Sequence, residues 1–539
     1  MKRLLLLAAV SLCACALRDA RNSNAPACTS SRQCDATYVC FLGQCRGGSI
    51  NLAIVSAEVR PPNDSQLGQL QQAGIDLRKT VLQDFALQPP ISVAGQVTQA
   101  QDVGAATPVA GAVIVFTDRL PPIPDRVTRV MARSDVSGNY SARLPAGSWD
   151  VQVQPPDTQP PQHAPLSLPP SGGGTGSAAL NLTLPKASSL LRINGTLSSD
   201  AGPLSGARVS ASDSSAAALS APAVSVDGGF SLLLPAGTQQ YYLHVGPPTD
   251  LDGGVPANDP LPNYDDLAPF STDGGSPAVV VTLTAPATLQ GRVFDATDAG
   301  IAGAHVYART DNAPLWSLQR ATTTDATGAY SLALREGPYV VEAAPSSDPN
   351  TPGVSLEQLV QVSAPSTSQN LQCPPKARAF GLVIKPDGSP AGAGFQITAT
   401  RLPDRLLTTR TAWVGGGPIP GATDAAGLYH LIGDSGPYRV EVIPPVETGL
   451  PRKLVQFMLS QAGGAETVLP TIQISPPLEV VGTVHGAAPG ALDAPVPGTT
   501  VDFFATDASG LTVFLGSGLT DSYGRYRAIL PDVANPGVF

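Results

Sequence analysis

Cysteine, tryptophan, histidine and clustered carboxylates are the side chains of this sequence that could do chemistry, and cysteine is the most densely placed. Cys28, Cys34, Cys40 and Cys45 fall within 18 residues, separated by five, five and four residues. An even, tight cluster of this kind serves as a disulfide framework or as a metal site. Zinc is disfavoured by the lack of a tight Cys-x2-Cys knuckle and, for an exported chain, by an oxidising compartment. Two disulfides stapling a segment too short for its own core are expected. Of the three pairings, Cys28–Cys40 with Cys34–Cys45 is preferred. Cys373, in Leu-Gln-Cys-Pro-Pro, reads as a small buried hydrophobe.

The remaining chemistry-bearing residues are dispersed. His163, His244, His305, His430 and His485 lie in different repeats or loops, and none forms a His-Glu-x-x-His or His-x-x-Glu pair. No nucleophile elbow is visible, so no catalytic residue, cofactor or enzymatic activity is expected. Asp250, Asp252, Asn258, Asp259, Asp265 and Asp266 make an acidic loop whose oxygens could hold Ca²⁺. An EF-type loop would need a glutamate eleven residues after Asp250, where Leu261 stands, so a solvated loop is preferred. Trp316 and Trp413 could stack on a sugar ring if exposed, although a buried hairpin anchor is the preferred reading.

The N-terminus reads as an export signal, with Lys2 and Arg3 before a short apolar run from Leu4 to Leu12. That run is shorter than the roughly 20 apolar residues of a membrane-spanning helix. It ends in Leu12-Cys13-Ala14-Cys15, which resembles a bacterial lipobox. The resemblance implies cleavage before Cys15, lipidation of Cys15, and a membrane partner reached through that lipid. An ordinary secretory signal is the alternative. Ala16 favours outer-membrane or surface placement over retention at the inner membrane. The following cysteine cluster is similar to small modules found after the lipobox in myxobacterial-type lipoproteins.

The elements that must position all these residues are legible from a recurring phrase, Asp-x-x-Gly-x-Tyr. It occurs at Asp135 to Tyr140, Asp325 to Tyr330, Asp424 to Tyr429 and Asp521 to Tyr526, and Ser225 to Phe230 is read as a variant with Ser225 in place of the Asp and Asp227 two residues later, so that a different turn is expected there. The aromatic recurs after 90, 100, 99 and 97 residues, a domain-sized period. Each copy follows a Gly-x-Val strand (Gly95, Gly195, Gly291, Gly381, Gly482) and a Pro/Gly-rich entry to a second strand. Asp and Gly specify a tight turn, and the aromatic begins a returning strand. Alternation in Trp149, Val151 and Val153 marks a half-buried strand. About seven short strands per repeat is the count of a two-sheet Greek-key sandwich. Pro and Gly, 54 of each, and an apolar share of 42% suit such turn-rich β domains. A net charge of −10 without a basic stripe excludes nucleic acid as a partner.

In order and residue type these repeats resemble the carboxypeptidase regulatory-like domain, a transthyretin-like β-sandwich, over about residues 91 to 530. The fold class is therefore all-β, with tandem sandwiches after a small disulfide-rich segment. Expected divisions are 1–14 signal, 15–50 anchor and Cys-rich segment, 51–90 half-repeat, and sandwiches at 91–187, 188–286, 287–375, 376–476 and 477–539, the last incomplete. Related collagen-adhesin sandwiches carry Lys–Asn cross-links. No Gly-x-Val strand here contains a Lys, and Lys385 is the one near miss, so such cross-linking is excluded as a general feature.

Residues 51–90 match the back half of a repeat, while the fifth repeat stops where its last strands should follow. The expected cause is truncation of the sequence. Completion by the N-terminal half-repeat or by a partner strand are the alternatives. Five units, each roughly 30 Å across, would reach on the order of 100–150 Å if laid end to end. The function expected is a non-enzymatic, lipid-anchored envelope protein for adhesion, binding or spacing. A polysaccharide-binding array using Trp316 and Trp413, or an accessory to a secreted peptidase, are the alternatives.

Overall fold

The computed structural model describes residues 54–532 and the backbone of two short strands, Val39–Phe41 and Gln44–Arg46. Within that span residues 80, 125, 157–158, 170–175, 200–201, 213–218, 236–239, 247–269, 272–277, 285, 311–319, 403–409, 417–418, 461–464, 489–490 and 507–511 are not described. The described residues form β-strands joined by turns, with two single-turn helices, Ala187–Ser189 and Val446–Thr448. No helix among them is long and apolar enough to cross a membrane. The strands build five two-sheet sandwiches, each around its own hydrophobic core.

The third sandwich shows the plan. One sheet places Ala287–Phe294 between the antiparallel Ala329–Leu334 and a parallel last strand broken into Ser366–Ser368 and Leu371–Gln372. The other runs Arg320–Thr323, His305–Thr310, Gly337–Ala344, Gln358–Val362. Alternate residues point inward, so Leu289, Val293, Val306, Tyr330, Leu332, Leu334 and Val341 close the core. Burying a side chain of this size contributes roughly 1.5–3 kcal/mol.

The two sequence landmarks of each repeat are register partners. The aromatic of the turn phrase lies directly opposite the strand glycine in all five units: Tyr140 and Gly95, Phe230 and Gly195, Tyr330 and Gly291, Tyr429 and Gly381, Tyr526 and Gly482. In three units the reason is a backbone bulge in the last strand. The Leu180 carbonyl presses onto Gly95, where a Cβ would lie 1.8 Å from its oxygen, and Gln369 over Gly291 and Gln83 over Gly482 repeat that 1.8 Å approach. Each of these carbonyls accepts a 2.6 Å hydrogen bond from Tyr140, Tyr330 or Tyr526 Oη. The residue after the carbonyl then accepts the backbone N–H beyond the glycine: Asn181 from Gln96 and Asn370 from Arg292, both at 3.0 Å, and Asp84 from Thr483 at 2.7 Å. The bulge carbonyl and the strand N–H beside it are thus both partnered.

Units two and four depart from this lock. In unit two the last strand Ala278–Leu283 pairs without a break, and the Phe230 ring, which has no hydroxyl, fills the space over Gly195. In unit four Tyr429 Oη is buried and lacks a hydrogen-bond partner among the described residues.

The hairpin turn follows the sequence reading in four units. The Asp carboxylate accepts backbone N–H groups two and four residues on, at 2.8 to 2.9 Å, from Asp135, Asp325, Asp424 and Asp521. The glycine that follows has φ of 75° at Gly138 and 83° at Gly328, the left-handed region that a Cβ disfavours. In unit two the reading of Ser225 as the replaced Asp is corrected. Ser225 occupies the position before the Asp: its hydroxyl donates to Leu204 O and accepts from Ala207 N, as Ser134, Thr324, Thr423 and Thr520 do in the other units. The turn is one residue shorter. Asp227 (φ 48°) and Gly228 (φ 77°) form a two-residue loop between Val226 and Gly229 with both φ positive.

The fifth sandwich corrects the expectation of an unfinished unit. Ile54–Arg60 pairs antiparallel with Thr500–Thr506, and Leu70–Asp76 pairs outside it. They take the places held in unit one by Gly147–Gln154 and Gln162–Leu168. Phe85–Leu87 then joins Pro477–Ala488 in parallel, as Leu182–Leu184 joins Ile91–Gln99. Val55, Ala57, Val59, Ile75, Leu77, Phe85 and Leu87 share one core with Val484, Phe503, Tyr526 and Leu530. The N-terminal half-repeat is therefore the missing half of the fifth unit. The physical reason is edge satisfaction: each fragment alone would expose unpaired strand edges and half a core.

The string of units expected to lie end to end is consequently cyclic in order, five–one–two–three–four–five. Units one and four both touch unit five. A β-bulge at Phe503 and Phe504 leaves Phe503 in the core and places Phe504 outside it. Phe504 and Phe514 pack edge to face, 5.6 Å apart, and are flanked by Arg126 of unit one and Arg452 of unit four, each 4.7 Å from a ring centroid.

Candidate ligand-binding face

Cys15, Cys28, Cys34, Asp250, Asp252 and Trp316 lie outside the described residues. Cys40 and Cys45 are opposite each other in the register of the short hairpin, and nothing further bears on the expected disulfides. Cys373 is buried, and burial pushes its thiol up to about 12, which suits an unreactive core residue. The histidines remain apart. His244 Nε2 lies 2.7 Å from Ser212 Oγ, but Ser212 is only 4% exposed. Among the described residues no three His, Cys, Asp or Glu side chains converge on a common point.

Trp413 is different. The preferred reading as a buried anchor is corrected, because the residue is 45% exposed. It sits on Trp413–Gly415, the outermost strand of one unit-four sheet, with Ala412 and Val414 facing inward. Outward and inward positions alternate along an edge strand, so the ring falls on the solvent face. Its six-membered ring lies across Gly415, where a Cβ would come within 2.0 Å of Cη2. Gly415 is what allows the indole to rest on the sheet.

The face continues across neighbouring strands. Ile432 is the register partner of Trp413, and Arg378 the partner of Ile432. In the next row Gly415, His430, Phe380 and Val468 are successive partners, and the His430 and Phe380 rings are 6.0 Å apart. Val468 is 68% exposed, and His430 Nδ1 lies 3.5 Å from Glu466.

Ile432 and Arg378 also line a groove of about 390 Å³ between units three and four, walled on the other side by Asp295, Thr297, Asn350 and Thr351. Most charges near this groove are engaged within the protein. Asp295 accepts from Thr297 Oγ1 at 2.7 Å and from the Thr297 and Ala299 N–H groups, and these bonds hold its carboxyl below the usual range. The Lys376 ammonium donates to Ser346 O at 3.1 Å, to Asp348 O and to Thr351 Oγ1 at 2.9 Å, and burial lowers its pKa. The Asn350 amide, the Arg378 guanidinium and the Trp413 indole N–H have no partner among the described residues.

The groove is held in shape by a buried ion pair at the junction of the two units. Arg410 Nε lies 2.6 Å from Asp434 Oδ2, and Arg410 Nη1 donates to Pro345 O at 2.7 Å. Asp434 in turn accepts from Val354 N at 3.1 Å. Unit-three carbonyl and amide groups thus complete a unit-four ion pair, which fixes how the two sandwiches meet. Sequence reading missed Asn350, Arg378 and Asp434. The available signal was an outward-facing Arg on a Gly-x-Val strand, but only the register sets it beside Trp413.

Residues 288–368 match the family model of the carboxypeptidase regulatory-like domain. That match falls within the third sandwich. No curated protein matches the chain. Among solved structures, the streptococcal ancillary pilin is 12% identical, covering 53% of this chain and 99% of that one at a TM-score of 0.24. The Bacillus anthracis TIE protein is 12% identical over 70% of this chain and 73% of its own, at 0.17. The major pilin subunit of Bacillus cereus is 11% identical over 52% and 99%, at 0.16. The carboxypeptidase regulatory-like match covers one unit; units one, two and five share its strand plan, while in unit four Trp413–Gly415 joins Leu428–Gly433 in the other sheet.

Proposed function

We propose that this chain is a non-enzymatic envelope protein, lipid-anchored through Cys15, that holds a cyclic set of β-sandwiches at the cell surface for adhesion, binding or spacing. The observation that carries the proposal is the bipartite fifth unit. Because strands 54–87 belong to that unit, an N-terminal anchor would tether the array there and leave units two and three furthest along the cycle from the membrane. The dispersed histidines and the inaccessible Ser212 are in keeping with a binding or presenting role.

Palmitate labelling of the protein in its native host tests the anchor, and protease shaving of intact cells tests its placement. The expected result is labelling that disappears in Cys15→Ala, together with digestion from outside. Labelling retained in that variant, or full protection in intact cells, would contradict the proposal. A carbohydrate-binding role is the second reading, favoured by the exposure of Trp413 and by the groove beside it.

A further inference from the structure

An exposed indole on a unit-four sheet face adjoins the groove at the junction of units three and four. Trp413, Ile432 and Arg378 stand on three adjacent strands, so the backbone positions of Trp413 and Arg378 are two inter-strand steps apart, about 10 Å. An aromatic ring offers its face to C–H groups, while amides and guanidinium groups bond hydroxyls. Around the groove, Asp295 is engaged by its own turn, Lys376 by three oxygens, and Asp434 by Arg410. What remains open to a ligand is an indole, an amide and one guanidinium.

That inventory selects the ligand. A polyanion such as a nucleic acid or sulfated glycan needs several unengaged cations, and among the described residues lining the groove Arg378 stands alone. An apolar peptide needs a deep, fully desolvated pocket for its anchors, whereas this face is open and edged by His430, Glu466 and Asn350. A chain of hydroxyl-rich rings with apolar faces meets both halves of the site.

We infer that the Trp413–Ile432–Arg378 face and the adjoining groove bind a neutral polysaccharide strand, with one sugar ring stacked on Trp413 and the next hydroxyls bonded by Arg378 and Asn350. This rests on the carbohydrate-binding reading above and narrows it to one site and one charge class.

The test is affinity electrophoresis of the folded protein through gels containing α-glucan, β-glucan, mannan or heparin, followed by titration of the retained polymer. Trp413→Ala removes a surface ring and leaves the core intact. It is expected to weaken binding by about tenfold or more. Gly415→Ala displaces the same ring and is expected to weaken binding in the same direction, while Arg378→Ala acts more mildly. Far-ultraviolet circular dichroism and the melting curve of Trp413→Ala should match the parent. If no polymer retards the protein, the carbohydrate-binding reading falls together with this site. If a neutral polymer binds the parent and Trp413→Ala equally, the reading survives and the site is wrong. Retardation by heparin alone would overturn the assignment of charge class.

Discussion

The third and fifth sandwiches carry the same strand plan and the same tyrosine lock, yet one is made from a continuous stretch and the other from two ends of the chain. In unit three, Tyr330 reaches a carbonyl 39 residues away. In unit five, Tyr526 makes the same 2.6 Å bond across 443 residues. Arg60 and Asp502, separated by 442 residues, add an ion pair across the same joint. The identical local geometry shows that sheet register, rather than chain continuity, defines the unit. For a flexible chain each doubling of loop length costs only about 0.6 kcal/mol, so distant closure is tolerable in equilibrium terms. Its burden is kinetic, because strands 54–87 wait for the C-terminal partner to be made.

The comparison breaks most severely if the N-terminal half loses its core aromatic. Phe85 packs against Phe503 and Tyr526, with ring centroids 6.5 and 6.0 Å away. Phe85→Ala is expected to destabilise unit five by about 3–5 kcal/mol and leave unit three untouched. Hydrogen exchange resolved by peptide would show protection lost in both 54–87 and 477–532 at once. Loss in only one of the two segments would mean that they are not one cooperative unit.

A smaller effect should appear equally in the two sandwiches. Gly291→Ala and Gly482→Ala each force a methyl against a carbonyl oxygen, and we expect a loss of about 1–3 kcal/mol in the affected unit. Denaturant titration followed by limited proteolysis would report it. Tolerance at either position would show that the bulge relaxes.

Next come the tyrosines. Tyr330→Phe and Tyr526→Phe remove a hydrogen bond to a part-buried carbonyl, for an expected cost of about 1 kcal/mol each. Tyr429→Phe in unit four should be neutral or slightly stabilising, because its hydroxyl has no partner among the described residues. Equal costs at all three positions would sink the distinction drawn between the locks.

The smallest effect is on pH. The Asp325 carboxyl is held below its ordinary value by the Thr327 hydroxyl and by the Thr327 and Ala329 N–H groups. A folded pKa below the unfolded one adds stability that is present above the unfolded pKa and lost as pH falls through the folded pKa. Unit three should therefore lose a small increment of stability below about pH 4, and Asp325→Asn should flatten that part of its acid titration. An unchanged titration would remove the turn carboxylate from the account.

How much of this was legible beforehand differs by residue. The turn aspartates and glycines were readable because a tight turn is a local event, decided by a handful of side chains. The strand glycines were visible as a pattern, but their cause was hidden. Gly95 is small because Leu180, 85 residues later, bends its carbonyl over it, and Asn181 caps the N–H beside it. Ser225 was misplaced by one position because a shortened hairpin keeps the same hydroxyl staple while losing a loop residue. Trp413 was read as buried because an indole is more often core than surface, and only the edge position of its strand and the absent side chain at Gly415 put it outside.

Taken alone, the amino-acid order determined five repeats, their all-β sandwich character and the chemistry of their turns, since each depends on contacts a few residues apart or on alternation along a strand. Tertiary structure alone decided that residues 54–87 complete the unit ending near residue 532, and that Arg378 and Asn350 line one groove with Trp413 on the adjoining sheet face. Both outcomes are set by which unpaired strand edge finds which partner. That choice is made by edge satisfaction and core burial over hundreds of residues, and no local pattern encodes it.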